Sequence, residues 1–355
     1  LSWNYELPSD RIAQRPASFN GERSSSRLLI ARRRGEPRIE ASVFSNLYEY
    51  LRRGDLLVLN DSAVAKTRYF IPIDEDRSAQ VEIFIVSIRS TNEDRSAAEV
   101  TALARPMKKL KDGAEISLSE KMKAAVLGRS DRGDELRLRI SRTSGSEDIR
   151  DLIFSEGNTP IPIYIRSGRP DESDDTLYQT VYAGEKGSVA APTAGLHFTT
   201  KQLSDLANSG VNVAFLTHHV GRASFLTVDP VADATVPEER FFIPAKTVSA
   251  IESAQRGGNR VVVVGTTSTR ALESFARGIG ANVDGGFGGE TDLFIRPGFE
   301  FQIVNALITN FHQPETTHIS LVSAFAGEQL VRDAYEFALR EDFRFLSYGD
   351  SMFIE

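Results

Sequence analysis

The 355 residues include no cysteine. That absence removes disulfides, thiol nucleophiles, iron–sulfur clusters and cysteine-based zinc sites together. Long apolar runs are missing too. Nothing approaches the ~18–20 residues that a membrane-crossing helix needs, and the longest run, near Val261, has the length of a strand. The first residues show no basic stretch followed by an apolar one, so the sequence predicts no secretory signal and a cytoplasmic location. Neither G-x-G-x-x-G after a strand nor G-x-x-x-x-G-K-[ST] occurs, which argues against a dinucleotide fold and a P-loop. G-x-S-x-G, H-E-x-x-H and H-x-H are also absent, so neither a serine-hydrolase elbow nor a metal centre is expected.

What is present is the composition of a globular protein: 41% apolar and 26% charged residues. At ~100–200 residues per domain the length predicts two domains or three. The net charge of -7 is unevenly spread. Residues 1–150 hold 27 Lys and Arg against 23 Asp and Glu, whereas residues 151–355 hold 15 against 26. A polyanionic partner would therefore prefer the N-terminal part.

Texture divides the chain further. RLLIARR (27–33) and GDLLVLND (54–61) read as strands around a helical pattern in SVFSNLYEYLRRG (42–54). From Phe70 to about Arg142, short alternating segments follow one another at the ~8–12-residue spacing of a small antiparallel barrel. After Glu147, helices such as TTKQLSDLANSG (199–210) alternate with strands such as VVVVG (261–265). This pattern implies a mostly parallel sheet with helices on its faces. The expected fold is an α/β main domain made of residues 1–69 and 146–355, with a small antiparallel β-barrel inserted as residues 70–145. ANVDGGFGGETD (281–292) reads as a surface loop by its glycines.

In open α/β sheets, ligands bind at the carboxyl ends of strands. Three polar clusters fall at such ends: Thr217-His218-His219, Gly265 to Arg270, and Asn310-Phe311-His312. Hydroxyl side chains and free amides at a helix N-terminus suit a carboxylate or phosphate, and also suit plain helix capping. Four of the five histidines, at positions 197, 218, 219 and 312, lie at loop or strand ends, where several converging would form a general acid/base site.

Ten segments then occur in order: YELPSDRIAQRP (5–16), GDLLVLND (54–61), LYQTVYA (177–183), AAPTAGLHF (190–198), HVGRASF (219–225), GTTSTRALES (265–274), DLFIRPGFEF (292–301), ALITNFHQPETT (306–317), LVSAFAG (321–327) and SYGDSMFI (347–354). Together they resemble the S-adenosylmethionine:tRNA ribosyltransferase-isomerase family of queuosine biosynthesis, from Tyr5 to Ile354. The resemblance implies an α/β domain with an inserted β-barrel. It implies transfer and isomerisation of the ribosyl part of S-adenosylmethionine onto the aminomethyl group of a 7-deazaguanine in the tRNA anticodon region, giving epoxyqueuosine-tRNA with release of adenine and methionine. S-adenosylmethionine is then a co-substrate, no further cofactor or metal is expected, and the chain is expected to act as a monomer.

That chemistry assigns roles. The sulfonium acidifies the neighbouring carbon, departing adenine needs a proton, and the attacking amine must be neutral. His197, His219 and His312 are the candidate acid/base groups. Candidate substrate-binding residues are Asn60, Asp61, Arg68, Thr193, Gly195, Gly221, Thr266, Thr267, Ser268, Arg270, Glu273, Asn310, Tyr348 and Asp350. Arg105, Lys108, Lys109 and Lys111 form a basic cluster expected to hold RNA phosphates. The chain also departs from the family pattern. Ala63 stands where a basic residue is common, Thr176-Leu177 where an arginine is common, and Val236-Pro237-Glu238-Glu239 keeps the glutamate of Met-His-x-Glu without its histidine. His218 replaces an apolar residue. A different amine acceptor, or an inactive RNA-binding paralogue, therefore stays open on sequence grounds.

Overall fold

The structure is a computed structural model, and it describes residues 4–72, 80–130, 133–221 and 236–355. In chain order the strands are β1 (Arg27–Ala31), β2 (Ile39–Val43), β3 (Leu56–Asn60), β4 (Ser62–Val64), β5 (Arg68–Pro72), β6 (Gln80–Thr91), β7 (Ala97–Arg105), β8 (Glu115–Ser119), β9 (Met122–Arg129), β10 (Leu136–Arg142), β11 (Glu185–Ser188), β12 (Asn212–His218), β13 (Glu239–Pro244), β14 (Val261–Val264), β15 (Ala281–Val283), β16 (Gly286–Thr291), β17 (Ala306–Asn310) and β18 (Ser351–Ile354). The helices are α1 (Ile149–Ser155), α2 (Asp174–Leu177), α3 (Thr200–Asn208), α4 (Ala245–Arg256), α5 (Thr266–Ala276), α6 (Thr317–Ala326) and α7 (Glu328–Arg340). None is long and apolar enough to cross a membrane, among the described residues.

The chain forms two compact units. One comprises Leu1–Ala63, Pro162–Arg169 and Thr176–Glu355, and the other Val64–Ile161 and Pro170–Asp175. The second unit is therefore larger than the 70–145 segment drawn from strand texture. Helix α1, which the alternation of helix and strand assigned to the α/β region, buries Ile149, Leu152 and Ile153 in the same core as the strands of the second unit.

The larger unit is built on a ten-stranded sheet, in the order β15-β16-β13-β12-β3-β14-β17-β18-β1-β2. Successive residues of β3, β14 and β17 enter two different cores. Leu56, Val58, Val261, Val263 and Leu307 pack on one face, and Leu57, Leu59, Val262, Val264 and Ile308 on the other. Burial on both faces explains why LLVL and VVVV are continuous apolar runs rather than alternating ones.

The mostly parallel expectation needs correction. β12, β3, β14 and β17 run parallel, and so do β18 and β1. However, β13, β15 and β16 form an antiparallel extension, β17 and β18 pair antiparallel, and so do β1 and β2. Two successive helices, α6 and α7, separate β17 from β18. One crossover helix would feed a parallel strand, whereas two return the chain to the edge it left. The 281–292 segment is a hairpin, with Asp284-Gly285 as its turn. Its glycines are required by close packing: a Cβ at Gly286 would lie 2.2 Å from the Ile243 carbonyl oxygen. The Asp-Gly pair was a hairpin signal that glycine content obscured.

The second unit holds a six-stranded antiparallel sheet, in the order β5-β6-β7-β10-β9-β8, whose edge strands β5 and β8 touch so that the sheet is nearly closed. Along β10, Leu136, Leu138 and Ile140 point into its core while Arg137 and Arg139 are exposed. This is the period-two pattern of a sheet with one wet face.

Candidate functional site

The parallel strands β12, β3, β14 and β17 end on one edge of the large sheet, and the three polar clusters gather there. At the end of β14, Gly265 takes φ +89°, a conformation that suits glycine, and turns the chain straight into α5. At the end of β3, Asn60 donates to the His218 carbonyl (2.9 Å) and accepts from the amides of His218 (2.9 Å) and Ser62 (3.1 Å). At the end of β17, Asn310 donates to the carbonyls of Leu346 (2.8 Å) and Ser347 (3.3 Å).

A cavity of about 350 Å³ opens at this edge within the larger unit. Its wall is formed by Pro162, Ile163, Tyr164, Tyr178, Ala190 to Ala194, Val220, Gly265, Thr266, Thr267, Thr309 to Gln313, Thr316, Thr317, His318, Leu346 and Ser347. No Asp, Glu, Lys or Arg lines it, among the described residues. The volume lies within the ~300–1,000 Å³ of small-molecule sites, and hydroxyl and amide groups set in an apolar wall are the usual means of orienting a ligand.

His312 and His318 form the basic part of this wall. Their rings stack with centroids 5.2 Å apart and planes 20° from parallel. Burial, reinforced by His318, pushes His312 well below the usual imidazole value, and burial pushes His318 down as well. Both are therefore neutral at pH 7. The Thr309 hydroxyl lies within hydrogen-bond distance of the Asn310 carbonyl (3.3 Å) and of His312 Nε2 (2.8 Å). The backbone of His312 is clamped by the hydroxyls of Tyr5 and Tyr335.

His197 stands behind the wall rather than on it. Asn310 Oδ1 can only accept, so His197 Nε2 donates to it (3.0 Å) and Nδ1 accepts from Ser26 Oγ (2.7 Å). Burial lowers this imidazole to about 4, against the opposing hydrogen bond to Asn310. Both ring nitrogens are engaged, and the ring leans on Phe44 at 5.1 Å. His197 ends a 3-10 turn (Thr193–His197) two residues before Thr199, the N-cap of α3, so it is not in the first turn of that helix. His219 lies off the wall and packs over Gly187, where a Cβ would come within 3.1 Å of the ring, while the next residue, Val220, lines the cavity.

Of the other residues singled out by sequence, Thr193, Thr266, Thr267 and Asn310 line the cavity with His312. Arg270 lines an adjoining crevice of about 30 Å³, with Thr266, Thr267, Thr317, His318 and Glu239. There Arg270 pairs with Glu239 and donates to the carbonyls of Leu293 and Thr291, both at 3.1 Å. Burial works to raise the Glu239 carboxyl. The hydrogen bond from His218 (2.9 Å), the charge of Arg270 and the Gly221 amide (2.7 Å) outweigh it and hold Glu239 at about 2. His218 is pushed down by burial, so its proton sits on Nε2, facing the carboxylate.

The remaining predicted binding residues do not line the cavity, and each has a structural partner instead. Glu273, fully buried, accepts from the amides of Gln302, Ile303 and Val304 and pairs with Arg277. Asp350 accepts from the amides of Arg27 (2.9 Å) and Arg344 (2.7 Å). Ser268 caps back onto the Val264 carbonyl, and Tyr348 packs edge-on against Tyr178. Asp61 accepts from Thr217 (2.7 Å) and is raised by burial. Asn60 is the strand clamp already described, and Gly221 serves as the amide donor to Glu239. Gly195 is a packing glycine, since a Cβ there would collide with the Tyr182 hydroxyl. Arg68 belongs to the second unit, where Glu82 (3.1 Å) and the Ile161 carbonyl (2.7 Å) hold it. The rest of HVGRASF, residues 222–225, lies outside the described residues.

Arg105, Lys108, Lys109 and Lys111 are all exposed on the second unit, around a 3-10 turn (Met107–Lys109), and none makes an ion pair among the described residues. His318 is the wall histidine that sequence reasoning missed. The set of histidines at loop and strand ends leaves it out, but Thr316 caps α6 and places it in the first turn. Pro314 followed by Thr316-Thr317 was the signal for that helix start.

Residues 1–354 match the family described as queuosine biosynthesis protein. An S-adenosylmethionine:tRNA ribosyltransferase-isomerase from Aromatoleum aromaticum is 43% identical over 99% of this chain and 96% of its own. One from Thermotoga maritima is 41% identical over 99% of this chain and 98% of its own. The crystal structure of an S-adenosylmethionine tRNA ribosyltransferase from Thermotoga maritima superposes with a TM-score of 0.54 at 34% identity, covering 99% of both chains. Matched along its whole length in this way, the chain belongs to the queuosine biosynthesis family of S-adenosylmethionine:tRNA ribosyltransferase-isomerases.

Proposed function

We propose that this chain moves the ribosyl moiety of S-adenosylmethionine onto the aminomethyl group of a 7-deazaguanine in tRNA, releasing adenine and methionine. Full-length membership of the family supports the reaction. The observation that carries the site is the uncharged cavity at the carboxyl ends of β14 and β17, beside Val220 after β12, walled by two neutral histidines.

In this reading His312 is the acid/base group facing the substrate. A neutral imidazole there can take the proton beside the sulfonium or return it to departing adenine. Thr193, Thr266, Thr267 and Asn310 bind and orient S-adenosylmethionine through hydroxyl, amide and helix-terminal N–H groups. His197 is a positioning residue that fixes the Asn310 carboxamide, since neither of its nitrogens is open to substrate. His219, beside the cavity-lining Val220, is the second candidate for proton transfer. The basic cluster from Arg105 to Lys111 holds phosphates of the tRNA, and the reaction takes place in the cytoplasm, with the tRNA.

The test is adenine release from S-adenosylmethionine, with and without tRNA carrying the aminomethyl-7-deazaguanine. Release that requires the tRNA is expected. Release without it would point to a different amine acceptor, and no release under either condition would remove the enzymatic reading.

A further inference from the structure

On β9, Gly128 is the register partner of Arg137 and Val126 that of Leu138, so Leu127 is an extra residue with no partner. Such a bulge re-aims a side chain. Leu127 is turned outward and is 41% exposed, although its neighbours Val126 and Gly128 are buried. Arg137 and Arg139 are exposed beside it on the face of β10 opposite the core. Gly128 has no side chain to obstruct Arg137, whose guanidinium would stand 3.7 Å from a Cβ there. Neither arginine makes an ion pair among the described residues. Glu99 is the register partner of Arg139 but forms no salt bridge with it.

This face is continuous with the basic turn. The Gly113 amide donates to the Val126 carbonyl (2.8 Å), and the Val126 amide donates to that of Ala114 (3.0 Å). Lys111 therefore sits on the turn bonded to β9 immediately before the bulge. Unpaired cations spaced along a rigid ladder cost self-repulsion unless a polyanion neutralises them. An apolar side chain among them is compatible with sugar contacts in a phosphate-binding surface.

We propose that the outer face of β9 and β10, with Arg137 and Arg139 beside Leu127, binds the phosphate backbone of the tRNA and extends the Lys111 turn into one surface. This rests on the reading that tRNA is the substrate. The surface fixes where the RNA lies and carries no sequence information itself.

The test compares the wild-type protein with the double variant Arg137→Gln, Arg139→Gln, by measuring tRNA binding over a salt series. A control pair, Arg256→Gln with Arg340→Gln, removes the same charge from exposed positions of the larger unit. Each lost phosphate contact should lower the slope of log K against log salt by roughly 0.7–0.9. The double variant should therefore lose about 1.4–1.8 of slope and roughly tenfold in affinity near 0.1 M salt. Melting temperature and S-adenosylmethionine binding should stay as in the wild type. Unchanged slope and affinity, or an equal loss in the control pair, would overturn the proposal while leaving the reaction intact. A wild-type protein that releases no adenine with tRNA would remove the reading beneath it, a result distinguishable from either.

Discussion

The cavity of the larger unit and the outer face of the second unit are chemical opposites. The cavity wall carries no charged side chain among the described residues, and its histidines are kept neutral by burial. The outer face carries exposed cations that make no ion pair among the described residues. Burial penalises charge, so a buried imidazole stays in its neutral, proton-accepting form at neutral pH. Phosphate recognition needs charge that is solvated and reachable, and it is paid for in salt sensitivity. The difference separates two tasks: proton transfer belongs to the neutral wall, and holding a polyanion belongs to the charged surface. Changes in the first region should therefore act on kcat, and changes in the second on the KM for tRNA.

The largest effect should come from His312→Ala. Loss of a positioned acid/base group should lower kcat by roughly 10²–10⁴-fold, with the KM for tRNA within a few-fold of wild type. Adenine release at saturating substrates measures it. If His312→Ala is near normal and His219→Ala collapses turnover, the proton-transfer role passes to His219. If His312→Ala raises only the KM for tRNA, the contrast between the two regions fails.

Acid should also separate the two units, because all five histidines belong to the larger one. His197, lowered to about 4 in the fold, has an unfolded value near 6.5. A depressed histidine contributes stability that is complete above about 6.5 and is lost as pH falls through that window to about 4. At pH 5, His197 alone removes about 2 kcal/mol, a factor of about 30 in the unfolding equilibrium. His218, His312 and His318 are shifted in the same direction. Hydrogen exchange or calorimetry at pH 7, 6 and 5 should show the larger unit weakening well before the second. His197→Gln should remove part of that slope. Equal weakening of both units would mean that histidine burial does not govern acid stability here.

How far the sequence could be read differs between the units for physical reasons. LLVL and VVVV announced strands buried on both faces, and the alternation in DELRLRIS announced a strand with one wet face. Strand direction was not legible, because it depends on whether one helix or two intervene, as between β17 and β18. The candidate site was legible in part as strand ends: Thr266, Thr267, Asn310 and His312 line one cavity, joined by Thr193 from a 3-10 turn. Glu273 and Asp350 sat in equally specific segments, yet they bind backbone amides of their own chain. A motif shows that a carboxylate is needed without showing whether its donors are protein or ligand. His318 escaped because helix phase, not residue type, decides which way a histidine faces.

The smallest effect expected is that of charge reversal at the basic turn. Lys108 and Lys109 are exposed, lie in a 3-10 turn that buries none of its residues, and make no ion pair among the described residues. Lys108→Glu with Lys109→Glu should therefore leave the melting temperature unchanged, since surface changes away from packing usually stay within ~0.5 kcal/mol. Attraction to phosphate at those two points becomes repulsion, so the KM for tRNA should rise roughly tenfold at 0.1 M salt. High salt screens the remaining charges, and the variant should approach wild type there. Because the cavity lies in the other unit's own residues, kcat at saturating tRNA and the KM for S-adenosylmethionine should hold within about twofold, well short of the ~10²-fold that removing an acid/base group costs. A fall in kcat would show that the turn helps set the reacting geometry and does more than hold RNA. An unchanged KM for tRNA would leave phosphate recognition to the β9–β10 face alone.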